Sequence, residues 1–155
     1  MIPVGDRVVN FEFATATRIV FGPGRVRETP TLAAGLGRRA LVVSDHAMGP
    51  PAELLDLLKK ATVEAFSFET SGEPTTHAVL AAVRRAREAE CDMVIGFGGG
   101  SVIDAGKAVA ALITNAGELM DYLEVIGRGL SLSQPSAPYI AIPTTAGTGA
   151  EVTRN

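Results

Sequence analysis

The sequence has 155 residues, of which 46% are hydrophobic and 20% are charged, and its mean hydropathy is +0.24. This length and composition fit one folded α/β domain with a substantial core and exclude a disordered chain. The formal net charge is −3 and the sequence contains no basic run, which argues against a nucleic-acid partner or an acidic membrane surface.

The location and assembly of the chain also follow from simple features of the sequence. A single cysteine excludes an intramolecular disulfide and is typical of a reducing compartment. No basic segment followed by an apolar stretch opens the chain, and no apolar run reaches the length of a membrane span, so we expect a cytoplasmic protein. Because the sequence is rich in apolar residues but only 5% aromatic, we expect part of its surface to be buried against a second domain or another copy, as in a homo-oligomer.

Local patterns predict strands that alternate with helices. A short N-terminal β-hairpin is predicted from the strands at 8–13 and 17–21, followed by the turn FGPG. Helices are then predicted at 25–36, 52–61 and 77–90, over about three turns ending at 113, and near 117–124. Strands are predicted at 40–44, 63–68, 92–97 and 139–143, and all of them except 63–68 are expected to be buried. This alternation favours a Rossmann-like α/β fold with a largely parallel sheet flanked by helices, in which ligands bind at the carboxyl ends of the strands.

The stretch GFGGGSVIDAGKA at 96–108 is a candidate phosphate-binding loop. Three consecutive glycines lack a Cβ, so a diphosphate can approach their N–H groups closely, and the start of the following helix favours negative charge. A Walker A loop would need glycine at Ser101 and a hydroxyl residue at Ala108, and the GxGxxG fingerprint would also need glycine at Ser101. Neither of these two motifs is therefore present.

The helix that follows the glycines has its own signals. Ser101 is predicted as the helix cap, with Asp104 three residues later completing a variant of the capping box. Lys107 lies three residues beyond Asp104 and is expected to pair with it. A capped strand-to-helix turn that binds no ligand is the alternative interpretation of this stretch.

A second glycine-rich turn favours a ligand. IPTTAGTGAEVT at 142–153 again follows a predicted buried strand and places Thr144, Thr145 and Thr148 beside Gly147 and Gly149. Neighbouring parallel strands would bring both turns to one edge of the sheet, where their amides and hydroxyls could serve a single dinucleotide.

GGGSVIDAGK and PTTAGTGAEVT, in this order and spacing, resemble the iron-containing (group III) alcohol dehydrogenases; FGPG at 21–24 and DYLEVIGRG at 121–129 also resemble that family. The resemblance implies an N-terminal domain of the kind found in dehydroquinate synthase, with NAD(P)-dependent interconversion of alcohols and aldehydes or ketones. In that family a helical C-terminal domain holds the divalent metal, Fe²⁺ or Zn²⁺, which polarises the alcohol oxygen.

The resemblance also implies the residues that hold the cofactor. Asp45 matches a position where an acidic residue goes with NAD rather than NADP, because a carboxylate accepts bonds from the ribose hydroxyls and repels a 2′-phosphate. An alternative role for Asp45 is to cap the turn before Pro50. The remaining implied contacts are Gly98, Gly99, Gly100, Ser101, Thr144, Thr145, Ala146, Gly147, Thr148 and Asn155.

Three positions depart from the family pattern. SGEPT at 71–75 stands where the family often has PNPT, so Glu73 replaces an asparagine that contacts the cofactor. Gly106 and Ala150 replace the commoner alanine and serine, and we expect both changes to be mild.

No catalytic or metal-binding residue is predicted in this chain. The family's metal ligands, an aspartate and three histidines, lie beyond residue 155, whereas His46 and His77 stand on separate segments without metal-ligand spacing. We therefore expect residues 1–155 to be the dinucleotide-binding domain of such an enzyme, without its metal-binding domain, able to bind cofactor but inactive alone. The alternatives are a maleylacetate reductase or a hydroxyacid–oxoacid transhydrogenase of the same superfamily, or a non-catalytic nucleotide-binding module.

Overall fold

A computed structural model describes residues 18–153, and within them a four-stranded parallel sheet forms the centre of the fold. The strand order is β2-β1-β3-β4. The strands are β1 (Arg39–Asp45), β2 (Glu64–Thr70), β3 (Met93–Gly98) and β4 (Tyr139–Pro143). All three neighbouring pairs are parallel, so the carboxyl ends of the strands share one edge.

Helices cover both faces of this sheet. A single 3-10 turn (Arg25–Glu28) leads into α1 (Thr29–Ala34), and these precede β1. The remaining helices are α2 (Ala52–Lys60), α3 (Thr76–Glu88), α4 (Gly100–Thr114) and α5 (Leu119–Tyr122). One apolar cluster lies between the sheet and helices α1 and α2, and the other lies between the sheet and helices α3, α4 and α5.

The predicted fold class is confirmed. The predicted strands and helices form at the expected places, but β4 is only partly buried, in contrast to its prediction as a buried strand. The FGPG turn has positive φ at Gly22 and Gly24, which glycine adopts without strain. The predicted hairpin lies mostly outside the described residues, and residues 18–21, the described part of its second strand, have no regular secondary structure. Within the described part of the chain, none of the helices is long and apolar enough to cross a membrane.

The strand β1 shows why the sheet needs helices on both sides. Its residues from Ala40 to Ser44 are all buried, and their side chains alternate between the two apolar clusters. A continuous apolar run of this kind is typical of a central parallel strand. The two strands in the middle of the sheet, β1 and β3, are the two whose residues are almost all buried.

Asn115 anchors the loop between α5 and β4, although no sequence pattern marks it. It is fully buried at the end of α4, and its amide donates to the carbonyls of Ala111 at 2.8 Å and Gln134 at 3.0 Å. Its Oδ1 accepts from the N–H of Gln134 at 2.8 Å and from the hydroxyl of Ser133. A buried amide with all its partners present fixes one arrangement of the chain, so β4 enters the sheet in a defined register.

Tyr139 at the start of β4 is packed between two glycines. A Cβ on Gly106 would lie 2.7 Å from the Tyr139 hydroxyl and 2.8 Å from its ring, and a Cβ on Gly96 would also collide with the hydroxyl. That hydroxyl donates to the carbonyl of Ile103 at 2.9 Å, and burial raises the pKa of Tyr139. Gly106 is therefore not a mild departure from alanine, because the ring occupies the space that a methyl group would need.

Replacing Gly106 by alanine should destabilise the chain in spite of alanine's higher helix propensity. Alanine gains about 1 kcal/mol over glycine in a helix interior, whereas forcing a methyl group into a packed site costs about 1–3 kcal/mol. We expect a net loss of about 1 kcal/mol in the free energy of unfolding, measured by urea titration. The double variant Gly106→Ala/Tyr139→Leu should lose less than the sum of the two single variants, and simple additivity would contradict this account.

Candidate functional site

Two glycine-containing loops meet at the carboxyl edge of the sheet, one after β3 and the other after β4. Phe97 is in register with Ile142, and Gly98 with Pro143. One residue further on, the N–H of Thr144 donates to the carbonyl of Gly98 at 2.9 Å. The predicted convergence of the two loops is therefore present, and a backbone hydrogen bond joins them.

The first loop lies directly against the threonines of the second. A Cβ on Gly99 would lie 3.3 Å from Thr145 Oγ1, and one on Gly100 would lie 3.3 Å from Thr148 Cβ. Gly98 has a different role, because a Cβ there would lie 2.7 Å from the side chain of Val102. Gly98 therefore allows α4 to pack closely over the end of β3. Gly99 and Gly100 have no side chains, so the two loops can approach each other without filling the gap between them.

The prediction that Ser101 caps α4 is wrong. The cap position lies two residues earlier, at Gly99, so the helix begins at Gly100 without a side-chain cap. Asp104 does not complete a capping box, and its carboxylate pairs with Lys107 at 2.8 Å instead, as predicted for that pair. The first backbone N–H groups of an α-helix have no acceptor within the helix, so this end of α4 offers donors and a partial positive charge to an anion.

Ser101 lies in the first turn of α4 and contacts Glu73. Its hydroxyl donates to Glu73 Oε1 at 3.1 Å. Glu73 is exposed and belongs to the loop between β2 and α3, where Thr75 caps α3 by accepting from the N–H of Ala78. The departure from the family pattern at Glu73 thus lies beside the candidate phosphate loop.

Asp45 ends β1 at the same edge of the sheet. Ser44 is in register with Phe97, so Asp45 follows at the level of Gly98 on the neighbouring strand. Asp45 Oδ1 accepts from the N–H of Ala47 at 2.7 Å, so the carboxylate also stabilises the turn after the strand. The capping role is therefore present in the structure, and it leaves Oδ2 available at the edge.

The second loop is open to solvent. Its residues from Thr144 to Thr148 are exposed, and φ is +83° at Gly147 and +70° at Gly149, values that favour glycine. Ala146 lies in this exposed run, whereas Asn155 lies outside the described residues.

Lys107 connects α4 to the end of the second loop. Its ammonium group donates to Thr153 Oγ1 at 2.9 Å and to the Thr153 carbonyl at 3.3 Å, in addition to its pair with Asp104. The sequence predicts only the bond to Asp104. The contact with Thr153 spans 46 residues and has no local sequence signal.

The residues that could hold a metal do not come together. Among the described residues, no group of three or more His, Cys, Asp or Glu side chains could hold a metal ion. His46 and His77 are exposed, and His46 Nδ1 lies 2.7 Å from Glu69 Oε2. Cys91 packs against the core, and burial raises the pKa of its thiol to about 11, so it stays protonated near neutral pH.

Comparison with known proteins gives the same family as the sequence resemblance of the two loops. The family described as iron-containing alcohol dehydrogenase matches residues 16–155. The 4-hydroxybutyrate dehydrogenase of Cupriavidus necator is 41% identical over 76% of this chain and 31% of its own length. The probable alcohol dehydrogenase EutG of Escherichia coli is 39% identical over 96% of this chain and 37% of its own length.

A solved structure extends the likeness to the fold. The sulfoacetaldehyde reductase of Bifidobacterium kashiwanohense, in complex with NAD⁺, superposes with a TM-score of 0.80 at 32% identity. The match covers 94% of this chain and 39% of that one, so the chain spans less than two fifths of the length of each of these three proteins. The fold is the Rossmann-like domain of this group of oxidoreductases, and the chain belongs to the iron-containing alcohol dehydrogenase family.

Removing the Lys107 ammonium group should loosen the end of the second loop. Lys107→Met keeps most of the side-chain length but deletes the donors to Thr153, and a lost hydrogen bond of this kind corresponds to about 1 kcal/mol. We expect amide hydrogen exchange at Val152 and Thr153 to become about fivefold faster. Lys59→Met, which replaces an exposed lysine on α2, is the control. Unchanged exchange at both amides would show that the contact does not order the loop.

Proposed function

We propose that this chain is the dinucleotide-binding part of a metal-dependent alcohol dehydrogenase and that it binds NAD at the carboxyl edge of its sheet. The observation that carries this proposal is the meeting of the two loops at the uncapped start of α4, joined through Thr144 and Gly98. A narrow cleft of backbone N–H groups and hydroxyls next to a helix N-terminus suits a pyrophosphate.

The residues around the two loops fit the successive parts of NAD. Gly99, Gly100 and Ser101 would hold the pyrophosphate, because a side chain at either glycine would press on the second loop and the first turn of α4 has free donors. The second loop would close over the same group with Thr145 and Thr148. Asp45 would accept a hydrogen bond from the adenosine ribose through its remaining carboxylate oxygen.

When bound, the nicotinamide supplies the hydride chemistry of the reaction. The part proposed for this chain is to bind and orient the dinucleotide at the sheet edge. The metal that the family name implies does not fit the described residues, which bring no suitable ligand group together. The whole sequence has two histidines, fewer than the three that the resemblance implies for the metal site. We therefore propose that these 155 residues alone catalyse no alcohol oxidation.

The first test is binding without turnover. Isothermal titration of the 155-residue chain with NAD should give a dissociation constant of about 1 mM or tighter, corresponding to at least about 4 kcal/mol of binding free energy. Amide NMR shifts should map to Gly99–Ser101 and Thr144–Thr148, with the amides of α2 as an internal control. Alcohol and NAD with added Fe²⁺ or Zn²⁺ should yield no NADH. Absence of binding to NAD, NADP and ADP would refute the proposal, and NADH formation would refute the inactivity.

Asp45→Asn should shift the cofactor preference away from NAD. The amide oxygen of asparagine can still accept from the Ala47 N–H, so the turn is retained while the negative charge is removed. Loss of the repulsion towards a 2′-phosphate should lower the preference for NAD over NADP by about tenfold in the ratio of dissociation constants. Asp56→Asn on α2 is the matched control. An unchanged ratio would mean that Asp45 serves only the turn.

A further inference from the structure

Glu73 places a carboxylate at the N-terminus of α4, where the proposed cofactor needs to place its phosphates. Ser101 Oγ donates to Glu73 Oε1 at 3.1 Å, and Ser101 is in the first turn of the helix. The two residues are 28 positions apart, so the contact comes from the fold and not from a local turn. A negative group at this end of a helix is stabilised by the free N–H groups and by the helix dipole.

A hydroxyl group has a single proton to donate. Ser101 can give it to the carboxylate of Glu73 or to a phosphate oxygen, but not to both at once. A diphosphate that enters the cleft between Gly100 and Thr148 would also meet a full negative charge within hydrogen-bond range of Ser101. Both effects oppose binding, one through the lost hydrogen bond and the other through repulsion between like charges.

We propose that Glu73 is an internal competitor for the phosphate position, and that the dinucleotide binds only after this carboxylate has moved away from Ser101. The inference rests on the proposed function and names the residue that sets the affinity of that site. In this account Glu73 lowers the affinity of the chain for diphosphate ligands.

The backbone around Glu73 allows such a movement. Gly72 has φ of +63° and nothing within 4 Å of the position that a Cβ would take, and both Gly72 and Glu73 are exposed, so this segment faces open space. Thr70 before it is buried in β2, and Thr75 after it is fixed as the cap of α3. The short segment between these anchors can carry the exposed Glu73 side chain away while the sheet and α3 remain in place.

The charge of Glu73 can be removed without changing its shape. In Glu73→Gln the side chain can still accept from Ser101, but it no longer repels a phosphate. ADP is the probe, because it carries the diphosphate without the nicotinamide, and adenosine is the uncharged comparison. The matched control is Glu88→Gln, which removes one negative charge from an exposed position at the opposite end of α3.

We expect Glu73→Gln to bind ADP about tenfold more tightly than the unchanged chain at low salt, because the repulsion between one carboxylate and the phosphates is removed. The gain should shrink to about threefold or less near 1 M salt, where the screening length is about 3 Å. Affinity for adenosine should not change, and Glu88→Gln should bind ADP as the unchanged chain does. Detectable binding of ADP by Glu73→Gln alone would also support competition by Glu73, provided that the unchanged chain still binds NAD.

Three results would overturn the inference. If both chains bind ADP equally, or the variant binds it more weakly, Glu73 does not compete, and the proposed function still stands. If adenosine affinity rises as much as ADP affinity, the effect is not on the phosphates. If neither chain binds ADP or NAD, the proposed function fails and the inference fails with it.

Discussion

The hydrogen bond from the Thr144 N–H to the Gly98 carbonyl is the constraint on which the candidate site depends. It joins the last residue of β3 to the first residue after β4 and so continues the ladder between these strands. The glycines after β3 and the threonines after β4 therefore start from neighbouring points. The parallel register of the sheet therefore determines the site before any side chain contributes to it.

The charged groups at this edge of the sheet have opposite effects on an anionic ligand. The uncapped first turn of α4 attracts an anion, whereas Asp45 at the end of β1 and Glu73 in the loop after β2 contribute negative charge nearby. Lys107 points from the next turn of α4 to Thr153 and Asp104. Selectivity in such a site depends on where each charge meets the ligand, because a carboxylate that suits a ribose hydroxyl is unfavourable beside a phosphate.

Most of the fold could be predicted from the sequence because it rests on short-range signals. Apolar runs of five or six residues gave the strands, and the glycine loops gave the edge where a ligand would lie. The cap of α4 was predicted two residues late, because Ser101 is a good capping residue and the sequence alone cannot show that Gly99 takes that position. Local preference predicts that a helix starts in this stretch more reliably than it predicts the residue at which it starts.

The contacts that the sequence did not predict are long-range ones. Asn115 with Gln134, Lys107 with Thr153 and Glu73 with Ser101 each join residues between 19 and 46 positions apart. Each depends on how a loop returns to α4, and no periodicity or motif encodes that path. A polar residue next to a helix end, such as Asn115 or Glu73, is the one signal that could have drawn attention to them.

The packing of Tyr139 between Gly96 and Gly106 has a consequence for how this sequence can evolve. The three positions lie on two strands and a helix, yet each limits the residues accepted by the others. A homologue with alanine at the position of Gly106 is expected to have a smaller residue facing it, or α4 further from β4. Because a change at one of these positions alters which side chains fit at the others, related sequences should carry the three positions as a correlated set.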